Sequence, residues 1–462
     1  MTRIARIINQ VVFVALLAIL VVVEIPYGTV DAWWESLFEC LVFALTAMWL
    51  VEVLLRGSWQ IRRASILAPL AILTGYIFFQ TLPITGGQGQ LGQRTLTIDV
   101  YQTYLTGIKF LALTLFTGLL LLHTTTVSRV RWIVRTIVGI ALVSAIFGIL
   151  RQLLQSPTAT SGFVLTFLFP SVGYGQFLSA NVFAYLVEIG LGLLSGLLLG
   201  GGVKTRHILT YTTAGLVILT ALTMSRSRGG LLGFVAQFVV VLIVGLAWYS
   251  DSWAKRNRQG PGWAEVLRTS IVVRVLATLL ISVTVVGVVL WIGGERLAEK
   301  QSTSQQVADD GTTRGKIWHA TWSLIKEHPV AGVGFGAYYL AIPEYQAGPG
   351  LVRVEQAHND YLDLAANGGI IAVGLAVWFG VLVLLRGRVV LRSSDSFRRG
   401  AALGAIAAII SVAVHSMVDF GLQVTSIAVL FGAVIVILVA EVKQRSNHRP
   451  RTSRVSEHGQ AS

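Results

Sequence analysis

The sequence of 462 residues is poor in charge and almost devoid of cysteine. Asp, Glu, Lys and Arg make up 13% of it, against roughly 25% in a typical soluble domain. Hydrophobic residues make up 54%. A chain so apolar cannot cover its own surface with polar groups, which excludes a soluble enzyme on a membrane anchor and makes lipid its principal solvent. The single cysteine, Cys40, sits inside an apolar run, so no intrachain disulfide is available and the fold does not depend on an oxidising compartment. Negative charge is scarcer than positive, leaving a net charge of +14. In a soluble protein that excess would point to nucleic acid. In a membrane protein it is the expected accumulation of Lys and Arg on the cytoplasmic side, and no nucleic-acid partner is expected.

What the chain has instead is long hydrophobic runs. A helix needs about 20 apolar residues to cross the hydrocarbon core. Twelve candidate segments occur, near 8–25, 36–55, 64–82, 104–122, 132–150, 178–200, 207–224, 229–249, 270–292, 367–386, 399–417 and 420–441. Residues 1–6 resemble the start of a signal peptide. The first run is followed by Pro26-Tyr27-Gly28, without a small-x-small cleavage site, and by many further spans, so it reads as a retained first helix. Twelve spans put both termini on one side. With the N-terminus cytoplasmic, 25 of the 36 Lys and Arg residues fall in cytoplasmic segments and 10 in extracytoplasmic ones, Lys109 lying within a span. Each cytoplasmic connection is then basic, as the positive-inside rule requires.

The expected architecture is an all-α integral membrane protein of about twelve transmembrane helices. Residues 1–292 carry the first nine spans, 293–366 form a large extracytoplasmic loop, 367–441 carry the last three spans, and 442–462 are a basic cytoplasmic tail whose composition reads as disordered. The large loop is polar over 295–313 and helical beyond, with Thr312 or Thr313 as the cap and Ile317, Trp318, Trp322 and Ile325 as apolar positions. Residues 83–103 and 151–177 are further extracytoplasmic segments, and 163–169 are apolar enough to dip into the interface.

The basic residues outside break the charge bias and are the informative ones. Arg226 and Arg228 lie in Ser225-Arg-Ser-Arg-Gly-Gly230, at the turn between spans seven and eight. An Arg at membrane depth faces a cavity or a partner. Two residues apart on a helix they cannot share a face, so one is expected to point inward and the other to snorkel. Arg314 and Lys316 open the loop helix in Thr313-Arg-Gly-Lys-Ile-Trp318, where a helix N-terminus plus a guanidinium makes an anion site. Ala357-His-Asn-Asp-Tyr-Leu-Asp363 places His358 just before the chain re-enters the membrane. Histidine is the side chain best suited to accept a proton near neutral pH, and Asp360 or Asp363 could orient it. His415 and Asp419 form a weaker polar cluster near the last extracytoplasmic turn.

Each feature also has a bland counterpart: headgroup-contacting arginines, a solvated loop arginine, a capping Asn/Asp cluster beside an interfacial histidine. No spacing matches a metal motif, Asp309-Asp310 do not form an Asp-x-Asp, and neither metal nor cofactor is expected. Two arginine sites and a histidine on one face suit group transfer from a lipid-linked phosphate donor, with the phosphate as leaving group.

These strings resemble the O-antigen ligase and polymerase family. The resemblance is carried by Thr313-Arg through Trp318, Glu327-His-Pro-Val-Ala-Gly-Val-Gly-Phe-Gly336, and His358-Asn-Asp-Tyr-Leu-Asp with Asn367-Gly-Gly-Ile370. Ser227-Arg-Gly-Gly-Leu-Leu232 is similar to the family's arginine motif, and His415-Ser-Met-Val-Asp-Phe420 to a late element. Ser179-Ala-Asn-Val-Phe-Ala184 is similar to an Asn-x-Asn-x-Phe-Ala element, with Ser179 in place of the first Asn. The resemblance covers roughly 170–425, and residues before 170 match only as a hydrophobic pattern.

It implies a glycosyltransferase-C-like fold and an enzyme of the bacterial inner membrane, active on the extracytoplasmic face. The implied reaction is a metal-independent inverting transfer from an undecaprenyl-pyrophosphate-linked glycan to a hydroxyl of a glycan, lipid core or other acceptor, in lipopolysaccharide or exopolysaccharide biosynthesis. Carried over residue by residue, Arg228 and Arg314 bind the donor pyrophosphate and His358 is the base. Arg226, Lys316, Asn359, Asp360 and His415 support them. Ligase and polymerase are not separated by these motifs. The alternative from another class is a transporter or flippase of a lipid-linked oligosaccharide, which would carry broken helices near the membrane midplane and often an internal repeat; no repeat is seen.

Overall fold

The computed structural model describes residues 3–25, 27–58, 61–83, 95–156, 173–256, 314–346 and 353–442. Among the described residues the chain is helical, with no strand beyond an isolated bridge between Tyr174 and Phe177. The helices are α1 (Arg3–Val22), α2 (Ala32–Arg56), α3 (Ala68–Gln80), α4 (Val100–His123), α5 (Val127–Leu154), α6 (Ala180–Leu199), α7 (Ile208–Ser225) and α8 (Arg228–Arg256). They are followed by α9 (Arg314–Glu327), α10 (Asp360–Leu391), α11 (Ser396–His415) and α12 (Thr425–Val439).

Eight of them are long and apolar enough to cross a membrane: α1, α2, α4, α5, α6, α7 with its preceding turn, α10 and α11. The chain is an all-α, multi-pass membrane protein. Shorter apolar helices occupy Ala64–Gln80, Arg228–Val244 and Thr425–Val439. Helices thus stand where eleven of the twelve apolar runs lie. The ninth run, 270–292, lies outside the described residues, as do 295–313 with Thr312 and Thr313, the 163–169 stretch and the tail beyond 442.

α6 is the centre of the bundle. In its most apolar stretch 83% of the residues are buried, against 22–39% for α1, α2, α4, α5, α7 and α10, which is why its sequence is apolar on every face. It packs on α11 through two stripes of small residues at four-residue spacing: Gly192, Gly196 and Gly200 against Gly400, Gly404 and Ala408. A methyl group at Gly196 would run into the backbone of Gly404, and one at Gly200 would lie 2.6 Å from the Gly400 Cα. Without a hydrophobic force between helices in lipid, such close backbone approach is what drives association.

Polar groups tie the two ends. At one end the Glu52 carboxylate of α2 accepts from Asn9 Nδ2 at 2.8 Å and faces His123 Nε2 at 3.0 Å, with Arg56 also paired to it. Arg129 of α5 joins by donating to Asn9 Oδ1 at 2.7 Å and by lying over the Phe13 ring. Arg398 of α11 donates to the carbonyls of Ile437, Leu438 and Ala440, closing the C-terminus of α12. At the other end Lys109 of α4 pairs with Glu35 at 2.7 Å and donates to the Gln423 carbonyl at 2.9 Å. This second end carries the sequence motifs and is called the site end below.

Candidate functional site

At the site end the connection from α9 to α10 forms a small subdomain on the membrane bundle. The buried face of α9 (Ile317, Ala320, Leu324) packs with Val333, Tyr338, Ile342 and Ala366. Thr321 Oγ1 and Tyr338 Oη lie 2.6 Å apart within that core. Ile317 is buried as expected, but Trp322 is 53% exposed, so the apolar stripe of α9 is narrower than its composition suggests. Trp318 donates its indole N–H to the Ala357 carbonyl at 3.0 Å, linking α9 to the residue before His358.

α10 begins seven residues before the apolar run that announces it, because a short first segment is followed by a break. Gly369 has φ 59° and ψ −161°, a left-handed conformation that favours glycine. Its neighbours explain the break. The glycine-rich loop after α9 lies against it, with Val333 N–H donating to Ala366 O (2.9 Å), Gly334 N–H to Asn367 O (3.0 Å) and Ile370 N–H to Pro329 O (2.9 Å). Gln80, the last residue of α3 and fully buried, donates to Ala331 O at 2.8 Å and Asn367 O at 3.2 Å, and Tyr76 donates to Ala331 O at 3.0 Å. Backbone groups freed by the break are thereby satisfied by protein, as they must be where water is scarce.

The short first segment of α10 holds His358 in place. Asn359 is its N-cap, accepting from the N–H groups of Tyr361 and Leu362 (3.0 and 3.1 Å) and donating to Met417 O at 2.8 Å. Asp363 accepts from the Ala357 N–H at 2.7 Å. Asp360 accepts from Ser416 Oγ at 2.6 Å and Leu422 N–H at 3.2 Å. His358 itself has φ 48°, a strained conformation for a non-glycine residue, held by these contacts on either side.

The carboxylate within 4 Å of His358 is neither Asp360 nor Asp363, which both hold backbone in place, but Asp419. Asp419 Oδ1 stands 3.6 Å from His358 Nδ1, and Asp419 Oδ2 stands 3.8 Å from Arg314 Nη2. The Phe420 ring meets the imidazole edge-on at 4.9 Å between centroids. The His358 side chain is 36% exposed while Asp419 is 6% exposed, so the imidazole opens to solvent and the carboxylate behind it does not. Burial raises the Asp419 pKa, but the His358 imidazole, the Phe420 N–H and the nearby His415 and Arg314 outweigh it and hold the carboxyl below its ordinary value.

Arg226 and Arg228 do not share a helix. Arg226 has φ 57° and ends α7, Ser227 follows, and Arg228 opens α8. Both arginines are exposed, so the expected split into one inward and one outward side chain is not found; the break between the helices removes the geometric reason for it. Ser227 accepts from the Gly230 N–H at 3.1 Å and donates to Asn181 Oδ1 at 2.8 Å. Ser179, where the family pattern has Asn, accepts from the Asn181 N–H at 3.2 Å and caps α6. Arg228 is joined to the Asp419 turn through Gly229, which lies against His415 and Val418. Lys316 is exposed on α9. Arg151, another basic residue expected outside, is buried and donates to Gly175 O at 2.8 Å.

His415, near enough to Asp419 to act on its charge, directs Nδ1 toward α6. Its Nδ1 lies 3.0 Å from Glu188 Oε1 of α6, both residues being wholly buried, and Tyr185 stacks on the ring at 3.8 Å. Glu188 was not singled out from the sequence. The signal was there, a lone carboxylate inside an apolar run, which in a membrane span is a functional candidate by default. Among the described residues no group of three or more His, Cys, Asp or Glu side chains is placed to hold a metal ion.

The arrangement offers an accessible imidazole backed by a carboxylate, with one cation on that carboxylate and others at the neighbouring helix start. Residues 213–379 match a family model described as O-antigen ligase. The match takes in Arg226, Arg228, Arg314 and His358, and stops short of the Ser179 and His415 elements. No curated protein matches the chain. Over residues 213–379, somewhat more than a third of its length, the chain is similar to the O-antigen ligase family.

Proposed function

We propose that the protein is a membrane glycosyltransferase that ligates or polymerises a polyprenyl-pyrophosphate-linked glycan on the extracytoplasmic face of the bacterial inner membrane. Both termini are then cytoplasmic and the fold is glycosyltransferase-C-like with twelve spans. The observation that carries the reading is the Asp419 carboxylate placed between His358 and Arg314.

His358 is the base. With Nδ1 turned toward Asp419, Nε2 is the nitrogen left to take the proton from the acceptor hydroxyl as that oxygen attacks the anomeric carbon. Attack opposite the departing pyrophosphate inverts the centre. Arg228 and Arg314 neutralise the charge that grows on the pyrophosphate, which stabilises the transition state more than the ground state. Asp419 orients the imidazole and holds the guanidinium, while Asn359 and Asp360 fix the backbone that presents His358. Arg226 and Lys316 add positive potential around the donor. No step in this scheme draws on a metal or cofactor.

The break in α10 does not favour a transporter. It lies level with the end of α3, not midway along the 370–391 stretch, and protein donors take up its freed carbonyls.

The test is His358→Ala in purified protein. Transfer is lost on the order of 10²–10⁴-fold while donor binding and folding persist. Wild-type activity in that variant removes His358 from the mechanism. Deleting the gene in its host separates the two activities: long chains left on the lipid carrier indicate a ligase, single repeat units a polymerase.

A further inference from the structure

We propose that Glu188 and His415 are a buried positioning pair that sets Arg228 relative to the Asp419 turn and acts on donor binding through the first turn of α8. The proposal deepens the reading above and rests on Arg228 as a ligand of the donor pyrophosphate.

The pair is fixed on every side. Glu188 Oε1 meets His415 Nδ1 at 3.0 Å, and Glu188 Oε2 accepts from Ser411 Oγ at 2.9 Å. The imidazole face is covered by Tyr185, stacked at 3.8 Å with 2° between the planes. Tyr185 Oη in turn lies 3.3 Å from Ser416 Oγ. The ring therefore has one orientation, with Nδ1 toward α6 and Nε2 toward α8. Among the described residues Nε2 has no hydrogen-bond partner, and its edge faces Gly229.

α8 is moulded on this pair by glycines. A Cβ at Gly229 would lie 2.6 Å from His415 Nε2, and one at Gly233, a turn later, 2.5 Å from Glu188 Oε2 and 2.7 Å from Ser411 Oγ. Arg228 stands between Gly229, seated on His415, and Ser227, which is tied to Asn181. The same histidine closes α11, and the turn that follows it carries Asp419 to His358 and Arg314. One imidazole thus lies between the helix start that presents Arg228 and the turn that presents the rest of the site.

Packing alone does not call for this chemistry. An acid and an imidazole without solvent contact carry a desolvation cost that apolar residues of similar volume would avoid. What they supply is a directed contact that fixes the ring. Leucine at 188 removes the acceptor for His415 and frees the ring to turn. Glutamine keeps the shape and an oxygen that accepts from an Nδ1–H.

The experiment measures equilibrium binding of undecaprenyl pyrophosphate, the part of the donor that does not depend on the sugar, to the full chain in proteoliposomes. Glu188→Leu is expected to weaken binding about tenfold, Glu188→Gln to restore it to within roughly twofold, and Glu188→Leu to add nothing in an Arg228→Ala background, since coupled residues are not additive. If Glu188→Leu does not survive purification, Gly229→Ala makes the same test by pushing α8 off His415, again with no effect added to Arg228→Ala. Unchanged binding in a folded Glu188→Leu, or its full effect persisting in the Arg228→Ala background, overturns the positioning role. Unchanged binding in Arg228→Ala alone overturns the donor role of Arg228, and this proposal with it.

Discussion

Asp419 Oδ1 stands 3.6 Å from His358 Nδ1 across 61 residues of sequence, joining the turn after α11 to the start of α10. In the proposed mechanism this contact selects which imidazole nitrogen meets the acceptor. Asp419→Asn keeps the shape and removes the charge. Its kcat is expected to fall on the order of 10–100-fold, with a rise in donor KM as Arg314 loses the contact that positions it. Steady-state kinetics in proteoliposomes measures both, and a kcat equal to wild type would free His358 of any dependence on Asp419.

The depressed Asp419 pKa gives a stability signature with a defined sign. A carboxylate whose folded pKa lies below its unfolded value contributes stability above the unfolded value and loses it as pH falls through the folded one. The ordinary value is 3.8. The Tm difference between wild type and Asp419→Asn is therefore expected to be constant from about pH 5 to pH 8 and to shrink below about pH 4. A difference that instead vanishes between pH 8 and pH 5 would contradict the depressed value.

Gln80→Leu takes one of two donors from the Ala331 and Asn367 carbonyls and removes the Oε1 that accepts from the buried Phe335 N–H. The expected cost is about 1–3 kcal/mol, read as a lowered Tm in detergent. Activity is expected to fall as well, because the same loop shapes the break that precedes the span after His358. A variant with unchanged Tm would show that other donors replace the amide.

Arg228→Lys and Arg314→Lys keep the charge but lose the planar fork, so neither is expected to restore full transfer when compared with the corresponding alanine variants. Full activity with lysine at both positions would argue for simple charge attraction.

Chelation is expected to leave transfer unchanged. Inhibition by EDTA that added metal reverses would bring the carboxylates at the site end back as candidate ligands.

The helices were legible because apolar length alone marks a span, and eleven of the runs stand where helices are. His358, Arg228 and Arg314 were legible as exceptions to a charge pattern. Their partners were not. Asp360 and Asp363 lie near His358 in sequence, whereas its carboxylate neighbour comes from a turn far along the chain, and local spacing carries no record of that contact. Helical periodicity misplaced Arg226 because the helix ends there, at a residue with positive φ. Glu188 was legible as a lone carboxylate inside an apolar run, but its partner was not, because His415 is 227 residues away. Trp322 looked like core because tryptophan is apolar, and it is exposed.

The Gln80 clamp has a consequence for biogenesis. The chain emerges from the N-terminus, so α3 enters the bilayer before residues 331 and 367 have been made. Until α10 arrives, an amide and a phenol at the end of α3 lack the carbonyls they will bind. A polypeptide truncated ahead of residue 367 would present that unmet polarity to lipid, the kind of lesion that membrane quality-control proteases read as incomplete. Synthesis of the α9–α10 segment thereby becomes the step that renders α3 acceptable to the membrane.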